Sequence, residues 1–225
     1  MPGRPFYAHE ATGAQKSHVY DRYADVLVDI SCVPRGQACS IISGGADTKS
    51  AAIASNRFLS LGRHGPFADQ LEYFTSIADL HLDLITDGQL YLEYPKEAFL
   101  FHRLLRDRAA PALATTATTA ESSASGLFFL KHVDDKGDHL LVDEDYNIAT
   151  VIDWQFACFV PACEAFGPSL LTAVLGKLYS PLAGLSVDDS YIAESLRRKG
   201  REDLAGLASR SELAKRFHSG LASNF

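Results

Sequence analysis

The residues best suited to chemistry lie in one short stretch, from Lys131 to Trp154. It holds seven acidic residues and two histidines, together with the apolar runs Leu-Leu-Val and Ala-Thr-Val-Ile. Carboxylate oxygens are the ligands that Mg²⁺ prefers, and a carboxylate can also accept a proton from a substrate hydroxyl. The stretch therefore predicts metal or acid–base chemistry, with apolar strands that position the acids.

Two of these carboxylates, those of Asp134 and Asp153, are expected to meet through a hairpin. Residues 139–143 and 147–153 are typical of two strands joined by an acidic turn. Pairing of these strands would return Asp153 to the loop that contains Asp134. The acids of the turn itself are interpreted as solvated, because Asp and Asn are common in hairpin turns.

The spacing fits phosphoryl transfer to a hydroxyl group. This reaction needs a carboxylate that orients the attacking hydroxyl and metal ligands that hold the nucleotide phosphates. Kinases use an H-R-D-x-x-x-x-N loop for this purpose, and a second aspartate follows after a hairpin. The interval from Asp134 to the last motif position is preserved here, and that position holds His139.

At these residues the chain resembles the aminoglycoside phosphotransferase family of the protein-kinase-like fold, most closely its fungal members. The family carries a loop similar to H-G-D-x-H-x-x-N-x-L-x-D, followed by I-D-W-E. This sequence reads H-V-D-D-K-G-D-H-L-L-V-D, followed by I-D-W-Q. The segments H-G-P-F, D-G-Q-L-Y-L-E-Y-P and E-A-F-G-P-S-L are also similar to that group.

The resemblance implies a role for each residue of the loop. Asp134 would be the catalytic base, and Asp153 would bind the Mg²⁺ that bridges the phosphates of ATP. His139 would take the position of the family's asparagine metal ligand, and His132 would brace the loop by hydrogen bonding. The chain departs from the family where Val133 replaces a glycine, and where an imidazole, a poorer Mg²⁺ ligand, replaces an amide.

The expected fold is α+β, mainly α: the C-terminal lobe of a protein-kinase-like fold with a catalytic-loop β-hairpin. Helical spacing of apolar residues predicts six helices, which begin near residues 17, 67, 95, 168, 187 and 202. In the third, the residues expected to face inward are Ala98, Phe99, Phe101, Leu104 and Leu105.

The predicted domain organisation is a loose leader at 1–16 and one kinase-like lobe over 17–225. Small and polar residues at 109–126 predict a flexible low-complexity loop. A strand-rich N-terminal lobe normally precedes such a lobe, and we expect it to be missing here. Residues 43–52 do not supply a phosphate loop instead, because Ser43 and Thr48 stand where that motif needs glycines.

Two function classes stay open. The first is an ATP- and Mg²⁺-dependent phosphotransferase-like domain acting on a hydroxyl group of a small molecule, expected to be impaired or inactive without the missing lobe. The second is a non-catalytic, truncated lobe that serves as a binding module. It would have a protein partner, or would self-associate, through the face that the missing lobe leaves exposed.

Composition and charge limit the kinds of partner and the cellular compartment that we expect for the protein. The net charge of −7 argues against a nucleic-acid partner. The four cysteines form no C-x-x-C pair and are interpreted as reduced thiols; a zinc site from Cys158, Cys163 and distant histidines is the alternative. Because the sequence shows no signal peptide and no apolar run of membrane-spanning length, we expect a cytoplasmic protein without a membrane partner.

Overall fold

The computed structural model describes residues 3–44, 47–53, 64–114, 126–173 and 185–209. The helices in these ranges are α1 (Gly13–Ser31), α2 (Gln70–Thr86), α3 (Pro95–Ala114), α4 (Ala162–Ala165), α5 (Val187–Arg198) and α6 (Glu202–Ala208). The strands are β1 (Arg4–Pro5), β2 (Ser40–Gly44), β3 (Asp47–Ala51), β4 (Phe128–Lys131), β5 (Leu140–Val142), β6 (Ile148–Val151) and β7 (Cys158–Pro161). The mixed α+β class is confirmed, and the kinase-like lobe stays a prediction.

The strands form three small antiparallel sheets. The central strand β5 lies between β1 and β6, and the β5–β6 pair confirms the predicted hairpin. Strand β7, which the sequence did not predict, pairs with β4. Strands β2 and β3 pair in antiparallel orientation, although the sequence of residues 34–56 is mostly typical of a loop. The sequence also suggests a short extended piece at 58–61, which lies outside the described residues.

The segment before α1 is part of the fold, in contrast to the predicted leader. Strand β1 pairs with β5, and the fully buried ring of Phe6 meets that of Tyr20 edge-on at 6.0 Å. Helix α1 begins at Gly13, four residues before the predicted start. Thr12 and Gln15 form a capping box, in which each side chain accepts the backbone N–H of the other residue.

Helices α2 and α3 pack along each other, and α2 contributes Phe74 and Ile77 to the core. Helix α3 continues to Ala114, so the first part of the predicted loop at 109–126 is helical; residues 115–125 lie outside the described ranges. Ala98 and Leu105 are buried as predicted, and Phe101 is partly buried. Phe99 and Leu104 are exposed, because α3 packs chiefly against α2 and one partner covers only one side of a helix.

Helix α5 has the bounds that its sequence predicts, Val187–Arg198. Ser186 caps its first turn in a second capping box, and Gly200, at φ +74°, follows its end. Helix α6 begins at 202 as predicted and is described as far as Ala208. Of the helix predicted at 168–179, residues 170–172 form a short 3-10 turn, and residues 174–184 lie outside the described part. No helix in the described ranges is long and apolar enough to cross a membrane.

Candidate functional site

The β5–β6 hairpin ends at Asp153 and begins next to the loop from His132 to His139. Its turn is held by Asp143, whose carboxylate accepts the backbone N–H groups of Asp145 and Asn147 at 3.0 and 2.8 Å. The side-chain amide of Asn147 also donates to this carboxylate at 3.1 Å, and this hydrogen bond, followed by the backbone N–H of Asn147, lowers the pKa of Asp143. The acids of the turn are exposed, which agrees with their predicted role as a solvated turn.

Two hydrogen bonds join the loop to the end of β6, and both involve Ile152. Nε2 of His132 donates to the carbonyl of Ile152 at 2.9 Å, and the N–H of Ile152 donates to the carbonyl of His139 at 2.9 Å. Because Ile152 precedes Asp153, the contacts hold that aspartate at the edge of the loop. His132, for which the resemblance implies a bracing role, makes one of these two contacts.

Asp153 adopts a left-handed backbone conformation, with φ 63° and ψ 46°. Such a conformation is uncommon for residues other than glycine, although Asp and Asn tolerate it best. The side chain is exposed. Its neighbour Trp154 is anchored by its indole N–H, which donates to the carbonyl of Val151 at 3.0 Å, and its ring meets that of His132 edge-on at 5.2 Å.

Asp134 is partly exposed and forms an ion pair with Lys136. Nζ of Lys136 lies 2.7 Å from a carboxylate oxygen of Asp134, and the hydrogen bond that Lys136 donates to this carboxylate raises the pKa of Lys136. Sequence reasoning assigned no role to Lys136. Its position two residues after the candidate base could have indicated a role, because alternating residues of a loop can present their side chains to the same ligand.

His139, the second residue predicted to bind metal, lies inside the loop. Its side chain is buried, and its ring stacks on that of His132 with centroids 4.1 Å apart. Burial, together with the nearby His132, lowers its pKa to about 4. Its Nδ1 accepts the backbone N–H of Gly137 at 3.3 Å. A buried imidazole whose Nδ1 already accepts a hydrogen bond does not fit a metal ligand.

A buried ion pair lies beneath the loop, and the sequence did not point to it. Nζ of Lys131 lies 3.3 Å from the carboxylate of Asp135 and also donates to the backbone carbonyl of Glu164 at 3.1 Å. Asp135 is 4% exposed, so its carboxylate is not one of the solvated acids of this stretch. The pair therefore anchors the residue next to Asp134 to β4 and α4.

The described ranges contain no group of three or more His, Cys, Asp or Glu side chains arranged to hold a metal ion. Mg²⁺ needs fewer, because it often binds through one or two carboxylates and keeps several waters. The exposed carboxylate of Asp153 fits such a ligand. Cys158 and Cys163, the alternative zinc ligands, are buried thiols.

Comparisons with known proteins found no matching family model, no matching curated protein and no matching solved structure.

Proposed function

We propose that the loop from His132 to His139, together with Asp153, forms the base and metal site of a phosphotransferase-like protein that acts on a hydroxyl group of a small molecule. The observation that supports this proposal best is the pair of hydrogen bonds that the backbone of Ile152 makes, one with the side chain of His132 and one with the carbonyl of His139. They bring the aspartate at the end of the hairpin to the loop that contains the candidate base, as the chemistry requires.

In this proposal the two aspartates have separate roles. Asp134 orients the substrate hydroxyl and accepts its proton, while Asp153 holds Mg²⁺. The bound Mg²⁺ and ATP would supply the phosphoryl group and neutralise charge on the phosphate oxygens. Lys136 adds a cation beside Asp134, where it can attract those oxygens.

The direct test is a calorimetric titration with ATP in the presence of Mg²⁺. We expect the wild-type protein to bind, and Asp153→Asn to weaken binding at least about tenfold, because the variant loses the charged metal ligand. Asparagine tolerates the left-handed backbone of this position, so the variant should keep the local fold.

The matched control is Asp145→Asn, which removes an exposed carboxylate from the turn of the same hairpin. This variant should bind like the wild type, because its side chain lies in the solvated turn. No binding by the wild type, or equal affinities for wild type and Asp153→Asn, would contradict the proposal.

The second candidate function is a non-catalytic binding module, and several exposed apolar side chains support it. Leu92, Leu100, Leu104 and Tyr94, at and before α3, are between 51% and 73% exposed. Exposed apolar patches often mark protein interfaces. A wild-type protein that binds no ATP, but sediments as a dimer that Leu100→Glu dissociates, would favour this function.

A further inference from the structure

His139 has unusual surroundings for a predicted metal ligand. The side chain is 3% exposed, and its Nε2 is buried without a hydrogen-bond partner in the described part of the chain. An Mg²⁺ ion keeps several of its waters, so it needs ligand atoms that face solvent. The imidazole of His139 offers none.

The hydrogen bonding of the ring gives a second reason. Nδ1 accepts the N–H of Gly137, so the lone pair of this nitrogen is already used. In a neutral imidazole, one nitrogen donates and the other accepts, so Nε2 carries the proton. Neither nitrogen therefore has a lone pair available for a metal.

The contacts of His139 indicate a different role. Its ring stacks on His132 with an angle of 19° between the planes. His132 donates to the carbonyl of Ile152, and the carbonyl of His139 accepts the N–H of the same residue. The two histidines thus hold both backbone polar groups of the residue before Asp153, whose left-handed backbone needs such support.

We propose that His139 is a positioning residue: its ring braces His132 and so fixes Asp153, and the metal is bound without it. This inference rests on the proposed function, in which Asp153 holds Mg²⁺. In the family that the sequence resembles, this position holds an asparagine that binds metal. In this chain the contacts of His139 give the position a structural role instead.

Two substitutions of His139 separate the two roles. His139→Phe keeps a planar ring for stacking but removes every ligand atom. His139→Gln removes the ring but offers an amide oxygen, which can accept the N–H of Gly137 or bind Mg²⁺. A positioning role predicts that the Phe variant binds Mg²⁺ more tightly than the Gln variant, and a ligand role predicts the reverse order.

The first measurement is the Mg²⁺ affinity, obtained by calorimetry with Mg²⁺ alone. We expect His139→Phe to stay within about threefold of the wild type and His139→Gln to lose about tenfold or more. Equal affinities for both variants and the wild type, or a weaker Phe variant, would overturn the inference. Circular dichroism checks folding, and His139→Tyr or His139→Asn replaces a variant that does not fold.

The second measurement does not depend on metal. Trp154 is the single tryptophan of the chain and contacts His132, so its fluorescence reports on this part of the site. Acrylamide quenching should be unchanged in His139→Phe and increased in His139→Gln. If the wild type binds no Mg²⁺, the proposed function fails, and the quenching still decides the positioning role: equal quenching in both variants would refute it.

Discussion

Gly137 is the residue that sets the path of the loop between the candidate base and His139. Its φ of +107° is open to glycine and unfavourable for L-residues with a side chain. A Cβ atom at this position would lie 3.0 Å from the carbonyl oxygen of Phe6 and 3.3 Å from Cδ1 of Leu171. The loop therefore packs against both the N-terminal segment and the chain after α4.

Gly137→Ala should lower the free energy of unfolding by about 2–4 kcal/mol, because backbone strain and a clash with main chain add together. Urea denaturation measures this loss. The matched variant is Gly200→Ala, which has φ +74° but no atom within 4 Å of the added Cβ. It should cost only about 1 kcal/mol, from backbone strain alone. Equal losses for the two variants would show that the contact with Phe6 is unimportant.

At the scale of elements, the buried pair of Lys131 and Asp135 connects β4, the loop and α4. Removal of one partner leaves a buried charge without compensation, whereas removal of both leaves none. The pair lies below the loop on the side of the core, so its loss should shift the loop as well as reduce stability.

Lys131→Met and Asp135→Asn should each destabilise the protein by about 3 kcal/mol, and the double variant by much less than the sum. A double-mutant cycle from urea denaturation gives the coupling energy. The exposed pair of Arg103 and Asp107, at 3.1 Å, is the matched control and should show a coupling of about 0.5 kcal/mol or less. If the coupling energy of Lys131 and Asp135 is as small as that of Arg103 and Asp107, the buried pair does not anchor the loop.

Elements with local signals were predictable from the sequence. Helix α5 has a capping serine, an apolar face and a terminal glycine, and the hairpin has two strands around an acidic turn. Strands β1 and β7 were missed because their partners, β5 and β4, lie far away in sequence. At the site, the aspartates could be selected by spacing, but the stacking of His139 on His132 depends on burial, which local sequence does not show.

At the scale of the whole molecule, the two histidines buried at the contact of α2 with α3, like His139 in the loop, should make stability depend on pH. His81 on α2 and His102 on α3 stack with centroids 4.4 Å apart, and Tyr91 stacks on His102 at 5.7 Å. Neither ring nitrogen of His102 has a hydrogen-bond partner within the described ranges. Burial, with a smaller effect of His81, lowers the pKa of His102 from 6.5 to about 4. Burial also lowers the pKa of His81.

Acid should therefore destabilise the protein through His102. Between pH 6.5 and about 4 the unfolded chain binds a proton that the folded protein does not, so stability falls as the pH decreases through this window. From pH 7 to pH 4, the wild type should lose about 2–3 kcal/mol more than His102→Phe, which keeps a stacking ring but cannot be protonated. Urea denaturation across this range measures the difference.

His9→Gln, which changes a histidine with a 77% exposed side chain, should follow the wild type. A His102→Phe variant with the same pH dependence as the wild type would show that the buried pair does not govern acid stability.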